Sequence, residues 1–342
     1  MTAADREATN QKPDSIMEAV SRRAADWVSP RGLRQDILPW RLWEKAKKLA
    51  WDPADLDFSR DAEDFATMPE EYRYPVIGLA RGFMIGEEGV TLDILPLIMA
   101  TADQGRLEEV MYLTTFAFEE AKHVEFFRRW FDAVGIDLAQ AEVAMAERMR
   151  ARGIEPPDPE RRRGIFESEV PTTMRALLRD HSPWAFLNAA VTYNQFVEGC
   201  LAIAGYRAWA GAFARMGVLP GLRDGLALVQ RDESRHIAYG TYLCRRIIAA
   251  EPRLAEPAVR RLVELHEGYR TTAVGPRPAG RSPGGGAGYS GPTATFPDYV
   301  AEQVEQRSQL LRRAVGLSSS EAERGAGAEE AEAAVAGAPS TE

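Results

Sequence analysis

Glu119-Glu120-Ala121-Lys122-His123 (EEAKH, 119–123) and the stretch DESRHIAYG (232–240) carry two of the four histidines of this chain, each closing a Glu-x-x-His. In a helix, residues three apart are neighbours on one face, so Glu120 with His123, and Glu233 with His236, can each offer one cation an oxygen and a nitrogen. The faces are apolar. Leu113, Phe116, Ala117 and Phe127 share the first, and Leu226, Val229 and Gly240 share the second. An unpaired carboxylate on a core stripe is costly and calls for a cation or a proton. Buried ionic clusters without metal are the alternative reading.

Each pair needs a further carboxylate from a neighbouring helix. Glu87 and Glu88 are adjacent candidates in GFMIGEEGVTLDIL. Glu87 shares its stripe with Ala80, Phe83, Met84, Val90, Thr91, Ile94 and Leu95, whereas Glu88 shares its face with Arg81 and Leu92, so Glu87 is the buried choice. Glu198 is the only acid between Asp180 and Asp224, and Val191, Asn194, Leu201, Ala202 and Gly205 line its side. The set is then Glu87, Glu120, His123, Glu198, Glu233 and His236. One carboxylate from each of two helices, plus Glu-x-x-His from each of two others, is the dinuclear carboxylate arrangement of ferritin-like bundles. Oxygen-rich sites with one imidazole per metal suit iron and manganese better than zinc or copper.

Outward from these motifs the chain reads as all-α, a four-helix-bundle core with additional helices. Strand signals are almost absent. Helices are expected over about 15–27, 33–51, 70–103 with a kink from Pro75 or Pro96, 107–134, 138–152, a stretch from the 155–160 break to about 180 with Pro171 inside it, 183–210, 220–250, about 252–269 and 298–315. Residues 1–15 are expected to be disordered, 16–315 to form one metal-binding domain with a mobile Gly/Pro loop at about 273–292, and 316–342 to be a disordered, acidic, low-complexity tail.

The net charge is −9, of which −5 lies from Ser318 onward. A mildly acidic body argues against nucleic acid as partner, because phosphate binding needs a basic face. No run of about twenty apolar residues exists to span a membrane. The polar start, MTAADREATNQKPDS, is not a signal peptide. Cys200 and Cys244 do not make a disulfide framework. The expected compartment is a reducing cytoplasm.

The six positions, with EEAKH and DESRHIAYG, resemble the ribonucleotide reductase small subunit, and most closely the ligand-binding oxidases related to it, over about residues 30–310. That resemblance implies a homodimer with a manganese/iron or di-iron site, manganese at Glu87, Glu120 and His123 and iron at Glu198, Glu233 and His236. It implies dioxygen as co-substrate, two-electron C–H oxidation and a bound long-chain fatty acid or similar apolar ligand. Phe83, Phe116 and Leu201 are read first as packing, with channel lining as a second role. In radical-bearing reductase subunits a tyrosine stands four residues after the first motif's His; here Phe127 does, and no aromatic follows Tyr299. A radical-generating reductase subunit that lacks this tyrosine is one rival. A non-catalytic lipid-binding or oxygen- or metal-sensing protein is another.

The resemblance further implies an ether cross-link between a valine three residues after the first ligand, Val90, and a tyrosine five residues before the fourth helix's Glu, Tyr193. A regular helix places Tyr193 about 140° away from Glu198. Either the helix is distorted there, as π-bulges often are at functional sites, or Tyr193 is core. For Asp232 the resemblance implies a partner orienting a metal-ligating His; an exposed helix residue is the equal alternative. Cys200 is read as core, His181 as a cap or surface residue, and His266 as exposed.

Overall fold

The computed structural model describes residues 31–153, 155–156, 164–273, 296–326 and 328. Expectations for the first thirty residues, for the 274–292 loop and for the end of the tail lie outside these. Among the described residues there is no strand. Helices α1 (Leu38–Lys48), α2 (Ser59–Thr67), α3 (Glu70–Asp93), α4 (Leu95–Asp103), α5 (Leu107–Ala133) and α6 (Leu138–Ala151) fill the first half. A π-turn (Ile165–Glu169) leads into α7 (Val170–Ala176). Then come α8 (Pro183–Ala190), a π-helix (Val191–Ala202), α9 (Ile203–Met216), α10 (Pro220–Ala250), α11 (Ala255–Ala273), α12 (Phe296–Arg313) and α13 (Ser319–Glu323).

The bundle core is α3, α5, the π-helix and α10, with α3 packed on α5 and the π-helix on α10. Two large apolar clusters, with a small one at Ile203 and Ile237, fill it. Val90, Phe116 and Tyr193 belong to one, and Ala80, Phe127 and Val229 to the other. The 31-residue α10 is fixed at its start by α2: Asp61 accepts from Gly221 N (2.8 Å) and Leu222 N (2.7 Å), and Asp64 from Leu219 N (3.0 Å). These carboxylates satisfy N–H groups that no helix can satisfy internally, and they complement the positive end of the dipole. Trp130 Nε1 donates to the same Asp61, tying α5 to that cap.

Several boundaries differ from expectation. The 70–103 helix breaks at Ile94, because Pro96 has no N–H to carry the ladder on. The segment 183–210 is two α-helices with the π-helix between them, and α9 continues to Met216. The segment before Asp180 starts as a π-turn, with Pro171 in the first turn of a helix that ends at Ala176. Helix α2 carries a polar, acidic sequence without a long apolar stripe, so periodicity does not mark it.

The disordered tail expected from 316 is corrected over its first part. Ser318 and Glu321 form a capping box at the start of α13, and Ala322 is buried. Glu323 accepts from Arg106 Nη2 (2.8 Å) and Tyr242 Oη (3.1 Å). Composition alone reads this stretch as solvated; a half-buried cation at the start of α5, Arg106, is what it docks against.

Candidate metal centre

Glu87 on α3 is buried, while its neighbour Glu88 is exposed. Glu120 and His123 on α5, Glu198 in the π-helix, and Glu233 and His236 on α10 are all buried too. One ligand atom from each of Glu87, Glu120, His123 and Glu233 lies within 4.8 Å of the others, and so does one from each of Glu120, Glu198, Glu233 and His236. The six residues named from sequence therefore meet, but in two overlapping groups. Both histidines turn Nδ1 inward. Glu120 faces His123 with Oε2 (3.8 Å) and His236 with Oε1 (3.0 Å); Glu233 faces His123 with Oε1 (3.6 Å) and His236 with Oε2 (3.6 Å). Glu120 and Glu233 thus stand between two positions, and Glu87 and Glu198 stand at the outer ends.

The donor set fits a pair of cations. Glu198 Oε1, Glu233 Oε2 and His236 Nδ1 are buried with no hydrogen-bond partner, a costly state unless an ion takes them. Burial, reinforced by neighbouring carboxylates, pushes Glu120 and Glu233 well above the usual carboxylate range, and burial takes Glu198 up to about 8. Burial drives His236 down to about 4. Burial also acts against charge on His123, but the carboxylates of Glu87 and Asp232 outweigh it and raise the imidazole to about 9. Metal-free, Glu120, Glu198, Glu233 and His123 hold protons where divalent cations would sit, while His236 stays neutral.

The outer nitrogens are held crosswise. His123 Nε2 lies 3.3 Å from Asp232 Oδ2, and His236 Nε2 lies 2.9 Å from Glu119 Oε2. The acid that precedes each Glu-x-x-His orients the histidine of the other one. Arg235 bridges Glu119 and Asp232, and Asp232 Oδ2 also accepts from Lys122 Nζ and Trp51 Nε1, each at 2.7 Å. Asp232 is fully buried, so its reading as an orienting acid stands over that of an exposed residue. Glu119 was not singled out from sequence; the signal available was its place immediately before Glu120, matching Asp232 before Glu233. Tyr206, also missed, donates to Glu87 Oε1 at 2.7 Å, and Asn194 Nδ2 donates to Glu198 Oε2 at 2.8 Å.

Beside the carboxylates lies a cavity of about 250 Å³, lined by Val90, Tyr193, Phe83, Phe166, Leu201 and Phe296 among others. Phe83 and Leu201 border it, whereas Phe116 stacks on the His236 ring at 3.6 Å. Tyr193 lies in the π-helix, whose i→i+5 bonding brings residues five apart onto one side, and its Oη donates to Glu120 Oε1 at 3.1 Å. Phe127 packs among Phe83 and Phe126. Cys200 is core, and its thiol meets Gln195 O. His181 is partly exposed near the start of α8, and His266 is half-buried on α11 rather than exposed.

A helical bundle whose facing helices bring four carboxylates and two imidazoles into overlapping groups is a dinuclear carboxylate protein. Residues 35–269 match the family described as ribonucleotide reductase, small chain. The structure of an R2-like ligand-binding oxidase from Sulfolobus acidocaldarius is 33% identical, covering 85% of this chain and 96% of that one, with a TM-score of 0.69. A variant of an R2-like ligand-binding oxidase with an anaerobically reconstituted Mn/Fe cofactor is 33% identical (84% and 97% covered, TM-score 0.64). Another, with a non-activated Mn/Mn cofactor, is 34% identical (85% and 97% covered, TM-score 0.67). This chain belongs to the ribonucleotide reductase small-chain family, among its R2-like ligand-binding oxidases.

Proposed function

We propose that this chain is a dioxygen-dependent oxidase. Glu87, Glu120 and His123 would hold manganese and Glu198, Glu233 and His236 would hold iron, or both sets would hold iron, with Glu120 and Glu233 standing between the two positions. The observation that carries the reading is the pair of overlapping buried carboxylate–imidazole groups. A metal pair bound there supplies the redox couple that dioxygen chemistry needs.

The chain's own residues supply the rest. Asp232 and Glu119 keep Nε2 of each histidine engaged, so that Nδ1 is presented to the metal. Phe83, Phe166 and Leu201 exclude water from the cavity and offer it to an apolar guest such as a long-chain fatty acid. Val90 and Tyr193 border that cavity. The reading joins them in an ether: the Val90 Cβ–H and Tyr193 O–H bonds break, one C–O bond forms, and two electrons and two protons pass to dioxygen. The hydrogen bond from Tyr193 Oη to Glu120 Oε1, at 3.1 Å, holds the phenol at the edge of the site. A homodimer and a cytoplasmic location complete the proposal. Exposed Leu92, Leu95, Met99 and Phe118 give α3, α4 and α5 apolar surface for a second copy, and both cysteines are free and buried. Among the described residues, no helix is long and apolar enough to cross a membrane.

Peptide mass spectrometry before and after aerobic loading with iron and manganese tests the chemistry. The expected product joins the peptides carrying Val90 and Tyr193 with loss of two hydrogens; anaerobic loading and Tyr193→Phe give none. Fully metal-loaded, air-exposed protein with both peptides unlinked contradicts the cross-link. Elemental analysis showing no iron or manganese contradicts the oxidase itself.

A further inference from the structure

Arg307 on α12 is 3% exposed, and among the described residues no carboxylate forms an ion pair with it, Glu198 of the π-helix acting on it only as a more distant charge. A buried guanidinium without a counter-ion is expensive, so its retention needs a reason in its hydrogen bonds. Its Nε donates to Gly199 O at 2.7 Å, and Nη1 reaches Gln195 Oε1 at 3.5 Å. Both acceptors belong to the π-helix that carries Tyr193 and Glu198.

The carbonyl of Gly199 is the one that the change of helix type leaves short. In an α-helix it would take the N–H of Ile203, four residues on. That N–H is given instead to Glu198 O, five residues back, where the π-helix ends. An i→i+5 ladder that reverts to i→i+4 leaves two carbonyls competing for one N–H, and Arg307 Nε provides the missing donor. Gly199 is what admits it: a Cβ there would collide with Cζ and Nε of Arg307. The neighbouring carbonyl of Gln195 is answered by the Cys200 thiol at 3.2 Å.

We propose that Arg307 is a positioning residue, which braces the C-terminal end of the π-helix through Gly199 O and so holds Tyr193 and Glu198 where the metal centre uses them. The link to the centre rests on the dinuclear oxidase reading; the brace on the π-helix does not.

The test compares Arg307→Met, Arg307→Lys, Gly199→Ala and the Gly199→Ala/Arg307→Met double variant. Amide hydrogen exchange is followed in metal-free protein, and iron/manganese uptake and Val90–Tyr193 linkage in loaded protein. Arg307→Met is expected to speed exchange in residues 199–204 by about tenfold or more while α5 and α10 keep their protection. Linked product per bound metal falls in the same variant. Lysine, which can still donate to Gly199 O, restores part of both. Gly199→Ala matches Arg307→Met, and the double variant is no worse than either single one, because both remove the same contact. Unchanged exchange, a rise spread equally over α5 and α10, or additive single effects would each overturn the proposal. Wild-type protein that takes up metal but forms no link would sink the cross-link reading alone, with the metal-free exchange still deciding the role of Arg307.

Discussion

Asp232 and Glu119 do the same work on opposite sides of the centre, and both answer to Arg235. Burial works against charge on Asp232, yet the hydrogen bond from His123 and the charges of His123, Lys122 and Arg235 hold its carboxyl far below the usual range. Asp232→Asn leaves Lys122 facing an amide and frees His123 to turn. Metal affinity should drop by about 10–100-fold, read by titration with iron or manganese. Stability should drop by about 3–5 kcal/mol in urea unfolding, as for a broken buried ion pair. Glu119→Gln should act likewise through His236. Glu120→Ala should abolish both metals, since both groups include Glu120; stoichiometric metal retained in that variant contradicts its placement between them.

The elements meet with little slack around the site. A Cβ on Gly240 of α10 would run into the Asn194 side chain of the π-helix, and Asn194 is the residue that holds Glu198. Gly240→Ala should therefore cost about 1–3 kcal/mol by overpacking, and it should weaken metal binding on the Glu198 side before the Glu87 side. Equal loss at both positions contradicts this. Helix α13 has only five residues, too few to be stable alone, so its order comes from docking. Glu323 there is the partner that Arg106 and Tyr242 share with Glu109. A chain ending at Leu317 should keep its metals, yet melt several degrees lower. An unchanged melting temperature shows that α13 contributes nothing to stability.

At the scale of the whole molecule, the centre stores electrostatic strain that metal relieves. In the metal-free fold His123 titrates at about 9 against an ordinary 6.5, and Glu198 at about 8 against 4.5. Both are raised, so each contributes stability below its ordinary value that is lost as pH rises through the folded one. His236 works the other way, but its window closes at 6.5, where its unfolded form loses its proton. Metal-free protein should therefore lose thermal stability steadily from pH 6.5 to 9, and metal-loaded protein should lose less. Loading near neutral pH should release protons, seen calorimetrically as heats that vary with the ionisation enthalpy of the buffer. Identical pH dependence with and without metal contradicts the protonated centre.

What could be seen in the sequence was what local geometry dictates. Three-residue spacing on apolar faces marked Glu120 with His123 and Glu233 with His236, and the stripe around Glu87 separated it from Glu88. The angle of about 140° between Tyr193 and Glu198 on a regular helix left two readings open, a distorted helix or Tyr193 as core. The sharing of Glu120 and Glu233, the crosswise acids, the π-helix braced by Arg307 and the docking of α13 came only with the tertiary structure. Each depends on which helices face one another and at what depth, and a periodic pattern along one helix carries no record of its partner's register.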